Sequence, residues 1–294
     1  IFPSQRAAAF RRADYKQFLA QNRHWVLPYA AFCCWRDQFG TADFSQWPEH
    51  RTCDLAEIET LLKKKSALRD ELELHLFTQF HLHLQLKEAA AYAHSHGVIL
   101  KGDIAIGVYR HGADTWQSPE LYQLSVQAGA PPDPFADKGQ NWGFPLYNWQ
   151  AMSRDNFAWW RRRLQASREV FHLLRVDHAL GFFRIWSFPW RPEDNERFTF
   201  LNHDQARELT GGALPCFVPR DDATPENRDY NRRQGEMLFR VFLEETGSHR
   251  LIAEDLGEVA PYVRPALEAM EIPGFKIPLW ETEPDGCLKS GESY

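Results

Sequence analysis

The sequence reads Val98-Ile99-Leu100-Lys101-Gly102-Asp103 at the point where its character changes from helical to mixed. This stretch is a short apolar run of β type that leads into a carboxylate. Two later runs share the form, since residues 171–176 lead to Asp177 and residues 251–253 lead to Glu254. Short apolar runs of this kind are typical of buried strands. We therefore predict three strands, each with an acidic side chain at or near its C-terminal end.

Helical patterns separate these runs. Amphipathic segments at residues 154–170 and 234–246 precede the second and third runs, and one at residues 263–269 precedes a fourth apolar run at residues 274–280. Strands that alternate with helices indicate βαβ units, which build parallel sheets. The pattern predicts the α/β fold class.

Residues 14–97 read as mostly helical, because Tyr15, Phe18 and Leu19 share one helical face and residues 55–93 are rich in Leu, Ala, Glu and Lys. Proline disrupts a helix interior and glycine weakens it, so we expect Pro28, Gly40 and Pro48 to break this region into pieces.

Trp25, Trp35 and Trp47 lie within the helical region. They could be platforms for sugar rings, but large aromatic side chains in helical segments usually belong to the core. We expect core positions.

Two long segments carry few predicted elements. We interpret residues 109–150 as a binding loop and residues 191–233 as a polar insertion, because long connections in a compact domain are usually functional or flexible. The predicted division of the chain is a helical subdomain at residues 1–75 and an α/β part at residues 76–294.

Composition excludes several classes of function. With 294 residues, 44% of them hydrophobic, the chain can bury a sizeable core, and its net charge of -6 with no basic tail argues against a nucleic-acid partner. No apolar run is long enough to span a membrane. The five cysteines form no CxxC pair, and no Cys and His spacing indicates a metal site. Reduced thiols and a cytoplasmic location are expected.

Three acids at strand ends suggest a reactive centre, since the C-terminal ends of the strands of a parallel barrel lie on one face. The alternative is that each acid caps the following helix. Cleavage of a glycosidic bond needs one carboxylate at the anomeric carbon and a second, protonated one at the leaving oxygen, which suits Asp177 and Glu254. Arg175 lies on the same strand face as Asp177 and would favour its ionised form.

Five motifs occur in order between Lys101 and Gly257. They are Gly102-Asp103-Ile104-Ala105-Ile106, Gly129-Ala130-Pro131-Pro132-Asp133-Pro134-Phe135, Gly139-Gln140-Asn141-Trp142-Gly143-Phe144-Pro145, Arg175-Val176-Asp177-His178 and Ala253-Glu254-Asp255-Leu256-Gly257. Together they resemble the amylomaltase or 4-α-glucanotransferase family, glycoside hydrolase family 77. A narrower resemblance, to type-2 disproportionating enzymes, comes from Tyr147-Asn148-Trp149, Asp155-Asn156-Phe157-Ala158-Trp159-Trp160 and Leu180-Gly181-Phe182-Phe183-Arg184-Ile185-Trp186.

The resemblance implies an incomplete (β/α)8 barrel of the TIM type with helical insertions, whose central part is residues 76–294. It also implies that Asp177 is the nucleophile and Glu254 the acid/base. The remaining matches imply substrate binding, and they fall on Arg175, His178, Asp103, Asp133, Phe135, Gln140, Trp142 and Asp255. The implied partners are maltooligosaccharides and other α-glucans, and no cofactor or metal is implied.

Departures from the family pattern qualify this expectation. The family usually has Pro where Ala105 stands and often has Tyr where Pro134 stands. It also has a third essential Asp on a later strand, and no matching motif occurs before Tyr294. We therefore expect a fragment with little or no turnover by itself. For the parent protein the resemblance implies 4-α-glucan transfer through a covalent glycosyl-Asp intermediate, with α-glucan hydrolysis or glucan binding without catalysis as alternatives.

Overall fold

The computed structural model describes residues 1–133, 136–137, 139–213, 215–280 and 282–291. The chain divides into two compact units. Unit 1 consists of Ile1–Val98, Gly107–Gln127 and Gly143–Asn156, and unit 2 consists of Ile99–Ile106, Ala128–Trp142 and Phe157–Tyr294.

The elements that precede β1 are helices, and strands occur among helices from β1 onward. The helices are α1 (Phe2–Ala9), α2 (Ala13–Phe39), α3 (Leu55–Lys63), α4 (Ala67–Ser95), α5 (Ala113–Gln117), α6 (Trp149–Ser153), α7 (Ala158–Arg168), α8 (Asn195–Phe198), α9 (His203–Thr210), α10 (Pro225–Thr246) and α11 (Val263–Ala269). The strands are β1 (Lys101–Ile104), β2 (Tyr122–Gln123), β3 (Val126–Ala130), β4 (Gln140–Asn141), β5 (Leu146–Tyr147), β6 (Leu173–Val176), β7 (Ile185–Pro189), β8 (Cys216–Val218) and β9 (Leu251–Ala253). The α/β class is confirmed.

Unit 1 is largely helical, and α2 packs against α4. Its core contains Trp35 and Trp47, which are buried as expected, while Trp25 is partly buried against the same cluster. Gly40 ends α2 in the left-handed conformation, as a C-terminal glycine often does. The predicted break at Pro28 is wrong, because this proline lies buried inside the continuous α2. Packing against the core offsets its missing hydrogen bond.

Unit 2 contains a sheet of three parallel strands in the order β1-β6-β9. Asp103 in β1 pairs with Arg175 in β6, and Arg175 pairs with Ile252 in β9. Side chains of alternate residues are buried, whereas Asp103 is exposed and Arg175 and Ile252 are half-buried. One face of the sheet therefore belongs to the core, and the other presents charged groups. Three parallel strands do not by themselves establish the barrel, which stays a prediction.

Three sequence predictions need correction or comment. The run at residues 274–280 contributes one parallel bridge, between Gly274 and Ala253, followed by a 3-10 helix at Pro278–Trp280. Residues 191–233 hold α8, α9, β8 and the start of α10, because their caps and turns form local structure despite high polarity. The division at residues 75 and 76 stays a prediction, and α4 runs across it.

Candidate active site

Asp177 and Glu254 follow two neighbouring strands of the parallel sheet. Val176, the last residue of β6, lies opposite Ala253, the last residue of β9. The backbone N–H of Glu254 donates to the carbonyl of Val176 at 2.9 Å, and that of Asp177 donates to the carbonyl of Ile104 at 3.0 Å. The in-register strands therefore deliver the two acids to the same edge of the sheet.

Arg175 joins two of the three predicted acids. Its Nη1 atom lies 3.1 Å from Oδ2 of Asp103 and 3.0 Å from Oδ1 of Asp177, and its Nη2 donates to the same Asp177 oxygen at 3.2 Å. The guanidinium thus places a fixed positive charge against both carboxylates. The arrangement suits Asp177 as a nucleophile.

Glu254 is held by two backbone donors. Its Oε2 accepts from the N–H of His178 at 2.8 Å, and its Oε1 accepts from the N–H of Leu256 at 3.1 Å. Burial raises the pKa of Glu254 above its ordinary value, and the negative charge of Asp177 acts in the same direction, whereas the backbone donors and Arg175 oppose the rise. A carboxyl that keeps its proton to higher pH can act as a general acid.

The first of these donors, the N–H of His178, lies in a strained turn. His178 has a φ of 44°, in the left-handed region that residues other than glycine rarely adopt. It begins a 3-10 helix at Ala179–Phe182 without a side-chain cap bond, so Asp177 does not serve as the helix cap that was the alternative. A Cβ at Gly181 would lie 2.8 Å from the imidazole Cδ2. Burial lowers the pKa of His178 to about 4, so the ring is neutral near pH 7.

The hairpin of β3 and β4 leads to a tryptophan beside His178. The Trp142 ring packs edge-on against the imidazole with centroids 4.8 Å apart, and its Nε1 donates to Oε1 of Gln140 at 3.0 Å. Gly129 allows the two strands to approach, because a Cβ there would lie 2.0 Å from the carbonyl oxygen of Gln140. The structure thus brings Trp142, Gln140 and His178 together.

The structure gives less support for a binding role at two residues of the predicted loop, Asp133 and Phe135. Asp133 accepts from the N–H of Ala136 at 2.7 Å and so organises its own turn. Phe135 lies outside the described residues.

Asp255 lies in the interior, although it was grouped with the substrate-binding residues. It is 2% exposed, its Oδ2 accepts from Nε of Arg264 at 2.8 Å, and its Oδ1 accepts from the N–H of Phe275 at 2.8 Å. Because both oxygens hold protein donors, this geometry favours a structural position for Asp255.

Sequence reasoning missed Phe275. The Cζ of Arg175 lies 5.5 Å from the centre of its ring. Its place near the start of the fourth apolar run was the available signal, but the run gave no reason to select this aromatic residue over its neighbours.

Comparison with known proteins identifies the family. A family model described as 4-alpha-glucanotransferase, glycoside hydrolase family 77, matches residues 2–293. The chain belongs to the 4-alpha-glucanotransferase family. This membership agrees with the five motifs and with the acids at the strand ends.

Individual members of the 4-alpha-glucanotransferase family support the assignment. The chain is 47% identical over 189 residues to 4-alpha-glucanotransferase DPE2 of Oryza sativa subsp. japonica. The aligned region covers 64% of this chain and 20% of that protein. It is 31% identical over 279 residues to the 4-alpha-glucanotransferase of Thermus thermophilus. This aligned region covers 93% of this chain and 49% of that protein. The chain thus spans half or less of the length of these relatives.

A solved structure of the same family has a similar fold. Amylomaltase from Streptococcus agalactiae, in complex with acarbose, matches with a TM-score of 0.71 at 26% identity, over 91% of this chain and 49% of that one. Within the described ranges, we find no helix long and apolar enough to cross a membrane. The same residues contain no group of three or more His, Cys, Asp or Glu that could hold a metal ion.

Proposed function

We propose that this chain carries the catalytic pair of a retaining 4-α-glucanotransferase, within the partial (β/α)8 barrel that the sequence predicts. The observation that carries the proposal is the pair of acids at one sheet edge in different environments. Asp177 contacts Arg175, whereas burial raises the pKa of Glu254. Retaining cleavage requires one carboxylate that attacks and a second carboxyl group that donates a proton.

In the first step, a carboxylate oxygen of Asp177 attacks the anomeric carbon of an α-1,4-linked glucosyl unit. The bond from that carbon to the leaving oxygen breaks, and this oxygen takes the bonding electrons and the proton of Glu254. The products are a glycosyl ester on Asp177 and a shortened glucan with a free 4-hydroxyl.

In the second step, Glu254 takes the proton of an acceptor 4-hydroxyl. The acceptor oxygen bonds to the anomeric carbon while the ester bond to Asp177 breaks. Both carboxyl groups return to their starting protonation states, and the anomeric configuration is retained after two inversions.

The neighbouring side chains would bind the sugar. Arg175 and Asp103 can donate to and accept from hydroxyls, and the neutral imidazole of His178 can do either. Trp142 offers an aromatic face to sugar C–H groups, with Gln140 fixed to its indole N–H. A loop that covers the glucan with these groups would exclude water and favour a sugar hydroxyl as acceptor.

Incubation of the full-length protein with maltotriose tests the activity. We expect a ladder of longer and shorter glucans. Release of shorter sugars alone would indicate hydrolysis, and binding without any product would indicate a non-catalytic glucan-binding protein.

A crystal structure with bound substrate tests the stereochemical course. Retention predicts carboxyl groups of Asp177 and Glu254 about 5–5.5 Å apart, whereas inversion requires roughly 6.5–9.5 Å. The longer separation would contradict a covalent intermediate.

A further inference from the structure

We propose that Asp255 and Phe275 are positioning residues that together hold Arg175 and Glu254 in their working geometry. The inference rests on the proposed function, because it assigns these two residues to the same reaction. Neither residue acts on the substrate in this proposal.

Asp255 fixes the segment that follows α11 against the end of β9. Its Oδ1 accepts from the N–H of Phe275, and the N–H of Ala253 donates to the carbonyl of Pro273 at 2.9 Å. Gly274 lies between these two bonds, where a Cβ would come within 2.8 Å of Oδ1 of Asp255. The carboxylate therefore occupies the space that a side chain at position 274 would need.

The position of Asp255 also constrains the acid/base. Asp255 directly follows Glu254, and its second oxygen is anchored by Arg264. The buried carboxylate thus limits movement of the backbone immediately after Glu254. This is the stretch whose Leu256 N–H donates to Oε1 of Glu254.

Phe275 extends this constraint to the nucleophile. Its ring lies 5.5 Å from the guanidinium carbon of Arg175 and 5.5 Å from Nζ of Lys101. The face of an aromatic ring attracts cations at such distances. Because Nη1 of Arg175 is shared between Asp103 and Asp177, a small displacement of the guanidinium would weaken its contact with one of them.

The two acids are thus linked through a single buried carboxylate. One path runs from Asp255 along the backbone to Glu254, and the other runs through Phe275 and Arg175 to Asp177. Catalysis is sensitive to placement, since a misplacement of about 1 Å can cost on the order of 10²-fold in rate.

The test compares Phe275→Leu with Phe275→Tyr in the full-length protein acting on maltotriose. Leucine keeps an apolar side chain but removes the ring, whereas tyrosine keeps the ring. For Phe275→Leu we expect kcat to fall about tenfold with KM little changed, and for Phe275→Tyr a kcat close to that of the wild type. The melting temperature of each variant is measured in parallel.

Two further variants complete the design. Tyr230 of α10 makes a similar contact, because Cζ of Arg220 lies 4.0 Å from the centre of its ring. Tyr230→Leu removes this ring away from the proposed site and should leave kcat unchanged. Asp255→Asn keeps an oxygen that can accept from Phe275 but loses the charge opposite Arg264. It should lower kcat less than Asp255→Ala does.

The outcomes separate this inference from the proposed function. If Phe275→Leu keeps wild-type kcat, or if its loss follows the melting temperature and tyrosine does not restore it, the positioning role is wrong. If Asp177→Asn retains activity, the proposed function itself is wrong. An inactive Asp177→Asn beside a fully active Phe275→Leu would overturn the positioning role alone.

Discussion

The aromatic core of unit 1 and the acidic sheet edge of unit 2 use their polar atoms in opposite ways. In the core, Trp47 and Trp116 are almost completely buried, and their indole N–H groups donate to the carbonyls of Thr41 and His50, both at 2.8 Å. At the edge, Asp103 and Asp177 keep 60% and 38% of their side-chain surfaces exposed. The first arrangement provides an acceptor for each of these buried indole donors.

We expect the edge to contribute less to stability than the core, because Asp103 and Asp177 remain partly exposed to solvent. Ion pairs that remain largely exposed to solvent contribute about 0–1 kcal/mol to the free energy of unfolding. Three acids and an arginine at one edge are therefore better explained by chemistry than by stability. Substitutions should separate the two regions, so that edge variants lose activity and core variants lose stability.

The largest effect is expected for Asp177→Asn. The amide cannot attack the anomeric carbon, so kcat for glucan transfer should fall on the order of 10⁴-fold while the melting temperature changes little. Steady-state kinetics and thermal unfolding of the full-length protein check both points. Asp229→Asn, at a surface ion pair of α10, is the matched control and should be fully active. Substantial activity in Asp177→Asn would remove the contrast between edge and core.

Glu254→Gln should lose about 10²- to 10⁴-fold with maltooligosaccharide donors, because the leaving oxygen needs a proton. With an α-glucosyl fluoride donor, the fluoride ion leaves without that proton, so formation of the glycosyl-enzyme should be much less affected. Rates with the two donors are compared by product analysis. Equal losses with both would show that the substitution only disturbs the backbone contacts of the carboxylate.

Trp47→Ala should lower the free energy of unfolding by about 3–5 kcal/mol, since it removes a buried ring and leaves a cavity. Denaturant unfolding measures the change, and kcat per folded molecule should stay close to that of the wild type. Trp25→Ala, at a partly buried ring, should cost less. A selective loss of kcat in a fully stable Trp47→Ala would place this core residue among those that act on the reaction.

The smallest expected effect concerns the pH dependence of activity, whose alkaline limb reports the pKa of Glu254. In the proposed mechanism the protonated form of Glu254 is the active acid, so activity should be present below its pKa and be lost as the pH rises through it. Because burial raises this pKa, the alkaline limb of kcat/KM should lie above the ordinary glutamate value. His178 is already neutral there, since its pKa is lowered to about 4. An alkaline limb at or below the ordinary value would contradict the raised pKa.

The sequence was sufficient to predict that Asp177 and Glu254 each follow an apolar strand, because apolar runs and helical patterns are local signals. The alternation of buried and half-buried residues in β9 continues past its end, so that Asp255 is buried like Leu251 and Ala253. The family resemblance suggests a binding role for Asp255, and that role stays a prediction.

Other features depend on tertiary packing that no local pattern expresses. Pro28 inside α2 is accommodated by a buried environment formed by distant residues. The contact between Phe275 and Arg175 depends on the path of a segment that makes a parallel bridge to β9. The fourth apolar run looked like a strand because its composition suits one, but composition does not fix the hydrogen-bonding partner.

The two main-chain donors to Glu254 have an evolutionary consequence. Replacement of a side chain leaves its backbone N–H in place, so most substitutions at positions 178 and 256 would keep the donors that orient the carboxylate. Only proline lacks this group. The orientation of Glu254 therefore depends little on which side chains stand at these two positions. If Glu254 is the proton donor that we propose, the residues that bind the acceptor can change while the course of the backbone keeps the donor in place.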